Sequence, residues 1–149
     1  MEIFQLLKQD HKKVSTLLKH LADTSEDAKV TRKKNLQALE NELEVHAQVE
    51  ERLLYPKLRE YDETKDEAEH GIEEHGEMRQ ALHELIELEV DDPDWMDQLM
   101  ELKDTIEHHV EEEEEELFPK ARKLLGGERA EEMADRAEEE KASIQRSMQ

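Results

Sequence analysis

Two eleven-residue stretches constrain this chain more than anything else in it. Residues 46–56 read HAQVEERLLYP, and residues 109–119 read HVEEEEEELFP. Aligned without gaps, both carry histidine first, Glu-Glu fifth and sixth, leucine ninth, an aromatic tenth and proline last. The shared core is His-x-x-x-Glu: His46 with Glu50, and His109 with Glu113. On an α-helix, residues four apart share one face, about one turn apart. Each stretch therefore offers an imidazole and a carboxylate to one point in space, a common way for a helix to hold a metal.

The surrounding apolar residues recur at steps of three and four, which is the helical period. Residues 1–21 carry Phe4, Leu7, Val14, Leu18 and Leu21, and His11 fills the gap in the stripe. A second helix over residues 28–61 carries Leu36, Leu39, Leu43, His46, Glu50 and Leu53. A third, over 67–90, carries Ala68, Ile72, His75, Met78, Leu82 and Leu85. The fourth carries Trp95, Leu99, Leu102, Ile106, His109, Glu113 and Leu117. Polar residues 23–27 should supply an N-cap for the second helix, and 62–66 read as a loop. Pro93 suits a first helical position, and Pro56 and Pro119 should kink their helices. Gly126-Gly127 ends the fourth helix.

The halves repeat. His11 to His75 is 64 residues, His46 to His109 is 63, and Leu18 and Leu21 recur as Leu82 and Leu85. The expected fold is all-α: an up-down antiparallel four-helix bundle over residues 1–125, with a pseudo-twofold axis. An additional C-terminal helix over 126–149 has a thin stripe of Met133, Ala137, Ile144 and Met148, so it should pack outside the bundle or fray.

Composition agrees with long amphipathic helices: 42% of the 149 residues are charged and 3% are aromatic. The net charge of −21 should repel nucleic acid and anionic membranes. There is no cysteine, hence no disulfide or thiolate ligand. The N-terminus lacks the pattern of a signal peptide, and no run approaches the ~18 apolar residues of a membrane span. The expected location is cytoplasmic.

A lone histidine in an apolar stripe is ordinarily a hydrogen-bonded core residue. Here all four stripes contain one, and two also contain a glutamate. A lone buried carboxylate costs several kcal/mol unless it is paired or bound to a metal. Four imidazoles and two carboxylates at one level of a bundle call for a cation. The candidate ligands are therefore His11, His46, Glu50, His75, His109 and Glu113. His70 is a seventh candidate, five residues before His75 and off its face unless a π-bulge intervenes. His20 and His83 read as surface groups, and His108 points about 100° away from His109. Glu51 and Glu114 are placed to accept hydrogen bonds around the centre. Tyr55 and Phe118 read as core, with Tyr55 alternatively reaching the metal pocket; Met78 and Met100 read as core filler. No catalytic residue stands out beyond the metal centre itself.

Carboxylates with imidazoles and no thiolate suit iron or manganese, and zinc less specifically. At these residues the sequence resembles the hemerythrin family, in particular bacterial hemerythrin-like HHE cation-binding domains. The motifs are Asp10-His11, His-x-x-x-Glu-Glu with Tyr-Pro from His46, Glu-Glu-His at Glu73, Glu74 and His75, and His-x-x-x-Glu-Glu with Leu-Phe-Pro from His109. The resemblance spans about residues 1–125. It implies a bundle holding two iron ions, oxo- or hydroxo-bridged, on His11, His46, Glu50, His75, His109 and Glu113. Oxygen-carrying hemerythrins have His-x-x-x-His in the third helix, where this chain has Gly71 before His75, and His-x-x-x-x-Asp in the fourth, where it has His109 and Glu113. One imidazole is thus missing unless His70 replaces it. Open coordination positions favour exchange and redox chemistry over reversible oxygen carriage.

The leading expectation is a di-iron protein, monomer or weak homodimer, that binds or reacts with oxygen, hydrogen peroxide or nitric oxide. Peroxide disproportionation is the enzymatic version. The rivals are an iron or oxygen sensor or iron donor without catalysis, and a metal-free or zinc-filled structural bundle.

Overall fold

The computed structural model describes residues 1–148, and every regular element among them is helical. Helix α1 spans Ile3–Ala22, and its first turn is closed by a reciprocal capping box between Glu2 and Gln5. Helix α2, Lys29–Val49, passes into a π-helical turn, Glu50–Leu54, and then α3, Tyr55–Leu58. Helix α4 is Lys65–Glu87. Helix α5, Trp95–Glu112, repeats the second rod's pattern: a π turn at Glu113–Leu117, then α6, Phe118–Leu125. Four antiparallel rods form the bundle, and α7, Gly127–Ser147, lies against α1 and α2.

The π turns replace the expected simple proline kinks. In each, a backbone N–H reaches back five residues, from Tyr55 to Glu50 and from Phe118 to Glu113. The wider turn inserts one extra residue ahead of a proline that has no N–H to give. It also advances the buried face by one position, so Leu54 is wholly buried and Leu53 only partly. Helix α4 is regular, and its inward face runs Ala68, Gly71, His75, Met78, Leu82, Leu85, again in steps of three and four. Gly71, not Ile72, continues that stripe; Ile72 is exposed. Met100 and Met148 are also exposed, against the expectation of core packing. Residues 23–27 supply no side-chain cap: Ala28 is the N-cap of α2. Thr24 instead accepts a hydrogen bond from buried Arg32, whose guanidinium stacks 4.2 Å from the Trp95 ring centroid. Pro93 lies in the turn ahead of α5, and Gly126, with φ +80°, separates α6 from α7 in a conformation that glycine favours.

Two apolar clusters fill the bundle. One, around Phe4, Leu7, Leu54, Tyr55 and Phe118, also takes Ala130, Met133, Ala134, Ala137 and Ile144 of α7. The other joins Val14, Leu18, Leu39, Leu82, Trp95 and Ile106 at the opposite end. On α1, α4 and α5 the stripe histidine falls between the two clusters in sequence. On α2, His46 lies between Val45 and Val49 of the first, just past Leu43 of the second, so apolar residues flank the polar layer towards both ends. Among the described residues, no helix is long and apolar enough to cross a membrane.

Candidate metal centre

Each rod delivers its histidine to the same level. His11, His46, Glu50 and Glu113 form one buried group whose ligand atoms lie within 4.8 Å of one another; Glu50, His75 and His109 form a second. The rings of His11 and His46 are 4.8 Å apart, and those of His75 and His109 are 4.9 Å apart. The two carboxylates tie the pairs together. Glu50 Oε1 is 3.1 Å from His46 Nε2 and 3.0 Å from His75 Nε2. Glu113 Oε1 is 3.3 Å from His11 Nε2 and 3.4 Å from His109 Nε2. Each glutamate opens a π turn, which starts the wider backbone step at the level of the histidines.

Every outward-facing Nδ1 meets a carboxylate. His46 meets Asp10 at 3.0 Å, His109 meets Glu74 at 2.8 Å, His75 meets Glu51 at 2.6 Å, and His11 meets Glu114 at 2.6 Å. Such partners orient an imidazole and raise its basicity towards a metal. They also fix the tautomer: with Nδ1 donating, each Nε2 turns a lone pair inward. The sequence pointed to Glu51 and Glu114 in this role. Asp10 and Glu74 were missed, although each directly precedes a candidate ligand. Two cationic side chains brace this layer: Lys141 of α7 pairs with Asp10, and Arg79 bonds Glu51 at 3.0 Å.

The inward set consists almost wholly of acceptors. His11 Nε2 and His46 Nε2 stand 3.2 Å apart. Glu50 Oε2, His109 Nε2 and Glu113 Oε1 are buried without a hydrogen-bond partner; the Glu113 contacts above are at ion-pair distance but lack hydrogen-bond geometry. Converging lone pairs of this kind are held by protons or by metal cations. In the metal-free chain, burial opposes charge on His46, but Glu50, Asp10 and Glu113 outweigh it and push its pKa up to about 10. His109 rises against burial to about 12, driven by Glu113, Glu50 and Glu74. Burial likewise opposes the Glu50 carboxylate, yet the surrounding histidines hold its pKa well below the usual range. The donor set of nitrogen and carboxylate oxygen fits a divalent transition metal.

One hydroxyl enters this layer. Tyr55 donates to Glu113 Oε2 at 2.5 Å and lies 3.3 Å from Glu50 Oε1 and 3.4 Å from His75 Nε2. Burial, then the charges of Glu50 and Glu113, raise its pKa well above that of a free phenol. The site is therefore asymmetric. Phe118, the counterpart of Tyr55 in the other half, stacks on His11 with ring centroids 6.0 Å apart. Gly71, the counterpart of Leu7, makes room for Tyr55: a Cβ there would lie 2.7 Å from the Tyr55 hydroxyl.

His70 stands outside the buried layer. It is exposed, with Nε2 3.3 Å from Glu74 Oε2 and 3.4 Å from Glu112 Oε2. No π-bulge interrupts α4 to turn it inward. His20, His83 and His108 are on the surface.

Known proteins resemble this chain along nearly all its length. A DNA nickase of Nostoc sp. is 28% identical over 148 residues, which cover 99% of this chain but 41% of that protein. An uncharacterized hemerythrin-like protein of Schizosaccharomyces pombe is 27% identical over 91% of this chain and 67% of its own length. The crystal structure of a hemerythrin HHE cation-binding domain-containing protein from Mycobacterium kansasii superposes with a TM-score of 0.88. That match covers 99% of this chain and 89% of the other at 20% identity, a likeness of fold. Residues 2–121 match the family described as the hemerythrin HHE cation binding domain, and the chain belongs to that family.

Proposed function

We propose that the centre holds two iron ions and that the protein binds or reacts with oxygen, hydrogen peroxide or nitric oxide. The observation that carries this reading is the pair of carboxylates, each reaching one histidine of each pair. That is the arrangement a dinuclear site needs, with Glu50 and Glu113 as the shared ligands. His11 and His46 would hold one ion, and His75 and His109 the other. The absence of thiolates and the hard donor set favour iron or manganese. Bound there, an iron pair supplies reversible one- and two-electron redox chemistry.

The chain's own residues do the rest. Asp10, Glu51, Glu74 and Glu114 hold the four imidazoles in place. The apolar clusters exclude water from either end. Tyr55 Oη keeps its own proton and donates it in a hydrogen bond to Glu113 Oε2 inside the polar layer. A pocket of about 290 Å³, lined by His70, Gly71, His109 and Glu113 among others, admits molecules of that size. Disproportionation of two peroxides to two waters and one oxygen needs no larger opening and no external reductant.

A second reading, iron sensing or donation without catalysis, draws on α7. Lys141 holds the same Asp10 that orients His46, so metal occupancy and the docking of α7 are linked through one carboxylate. The DNA-directed activity named for the Nostoc relative is not carried over: this chain spans 41% of that protein and bears a net charge of −21. The deciding measurement is metal content with the visible spectrum, on protein from iron-replete cells. About two irons per chain with the absorption of a coupled ferric pair are expected. Zinc or no metal, even after anaerobic ferrous reconstitution, would sink the redox reading.

A further inference from the structure

We infer that His70, Glu74 and Glu112 form a surface docking site for a divalent transition-metal cation, through which the buried centre is loaded. The inference rests on the metal-centre reading above. The three side chains offer one imidazole and two carboxylates whose ligand atoms lie within 4.8 Å of one another. They sit at the pocket of about 290 Å³ between α4 and the rod formed by α5 and the second π turn. Asp66, Glu67 and Glu116 also line it; nearby, Lys120 pairs with Glu67, and His108 Nε2 lies 2.8 Å from Glu112 Oε1. A mouth of this sign concentrates cations.

Independent of that cluster, the inner wall of the same pocket carries His109 and Glu113. His109 Nε2 and Glu113 Oε1 are buried and have no hydrogen-bond partner. The pocket thus runs from an exposed donor set to unsatisfied buried donors. Glu74 joins the two. Its Oε1 accepts from His109 Nδ1 at 2.8 Å, while its Oε2 faces His70 Nε2 at 3.3 Å. A cation leaving His70 and Glu112 meets next a carboxylate already bonded to a ligand of the centre. The outer set has three protein donors and is open to water, so it should bind more weakly and release more readily than the enclosed one.

The test uses cobalt(II), whose visible absorption reports coordination, mixed with the full-length apo chain in a stopped-flow instrument. The double variant His70→Ala/Glu112→Gln is compared with Glu138→Gln, which removes the same formal charge from an exposed position on α7. At limiting cobalt, the double variant should load about tenfold more slowly, while Glu138→Gln loads as the parent does. All three should fill the buried centre to the same extent once the weakly held surface cation has been removed by gel filtration. A double-variant rate within about twofold of the parent, or equal slowing by Glu138→Gln, overturns the inference and leaves the buried centre intact. Fewer ions retained in the buried centre after gel filtration in the double variant alone would make these residues part of the centre and also overturn it. No uptake by any of the three overturns this inference together with the metal-centre reading.

Discussion

Replacing Gly71 by alanine should destabilise the chain, although the same change five residues later, at Gly76, should stabilise it. In a helix interior, alanine is favoured over glycine by about 1 kcal/mol. Gly76, on the exposed side of α4, has no heavy atom within 4 Å of where its Cβ would stand, so Gly76→Ala should realise that gain. At Gly71 the new Cβ would lie 2.7 Å from Tyr55 Oη, 2.8 Å from Cζ and 3.3 Å from Cε2. Tyr55 is wholly buried, and its hydroxyl holds Glu113 at 2.5 Å. Overpacking of this kind costs about 1–3 kcal/mol. Moving the ring also weakens a hydrogen bond to a buried carboxylate, worth about 1.5–3 kcal/mol. Less the helical gain, Gly71→Ala should cost about 2–4 kcal/mol. For a chain of this size that lowers the melting temperature by about 5–15 °C, whereas Gly76→Ala raises it by about 2–4 °C. Thermal melts of the metal-free proteins by circular dichroism decide the matter. A Gly71→Ala variant melting at or above the parent would refute the claim that Tyr55 occupies the space beside Gly71.

Three further outcomes are expected. Tyr55→Phe should cost about 1–3 kcal/mol in the metal-free chain, because Glu113 Oε2 loses its donor inside the bundle; unchanged stability would place the hydroxyl elsewhere. Glu50→Leu combined with Glu113→Leu should abolish metal binding and, because His46 and His109 lose the carboxylates that hold their charge, should destabilise the metal-free bundle at neutral pH by about 3–5 kcal/mol; retention of two metals by elemental analysis would contradict the site. Metal uptake should release protons, since His46 and His109, with pKa values raised to about 10 and about 12, hold them at neutral pH. Apparent affinity should therefore rise with pH, and uptake without acidification of an unbuffered solution would count against it. The same sign governs the metal-free fold: the stability these imidazolium pairs contribute is full below about pH 6.5. It is lost as pH climbs through about 10 for His46 and about 12 for His109.

Much of the bundle was legible along single helices. Apolar steps of three and four gave the rods, and the 63- and 64-residue offsets paired them into halves. The six residues read as candidate ligands were found because polar groups interrupting an apolar stripe need a reason to be buried. The structure brings those six together and leaves His70 at the surface. Errors arose where apolar character stood in for geometry. Ile72 was preferred to Gly71, yet the small residue keeps the stripe because an aromatic from another rod fills its place. Leu53 was preferred to Leu54 because an α-helical period was continued through a π turn.

The sequence by itself thus determined the helices, their order, the duplication and the level at which histidines and glutamates interrupt the core. All of that is periodicity within one rod, which local backbone geometry fixes. Only the tertiary structure decided which carboxylate meets which imidazole, that the Tyr55 hydroxyl reaches Glu113 while Phe118 stacks on His11, and that Lys141 of α7 reaches Asp10. Those pairings depend on the rotation and axial register of one helix against another. A shift of one residue, such as each π turn inserts, turns a side chain by about 100° and changes its partner.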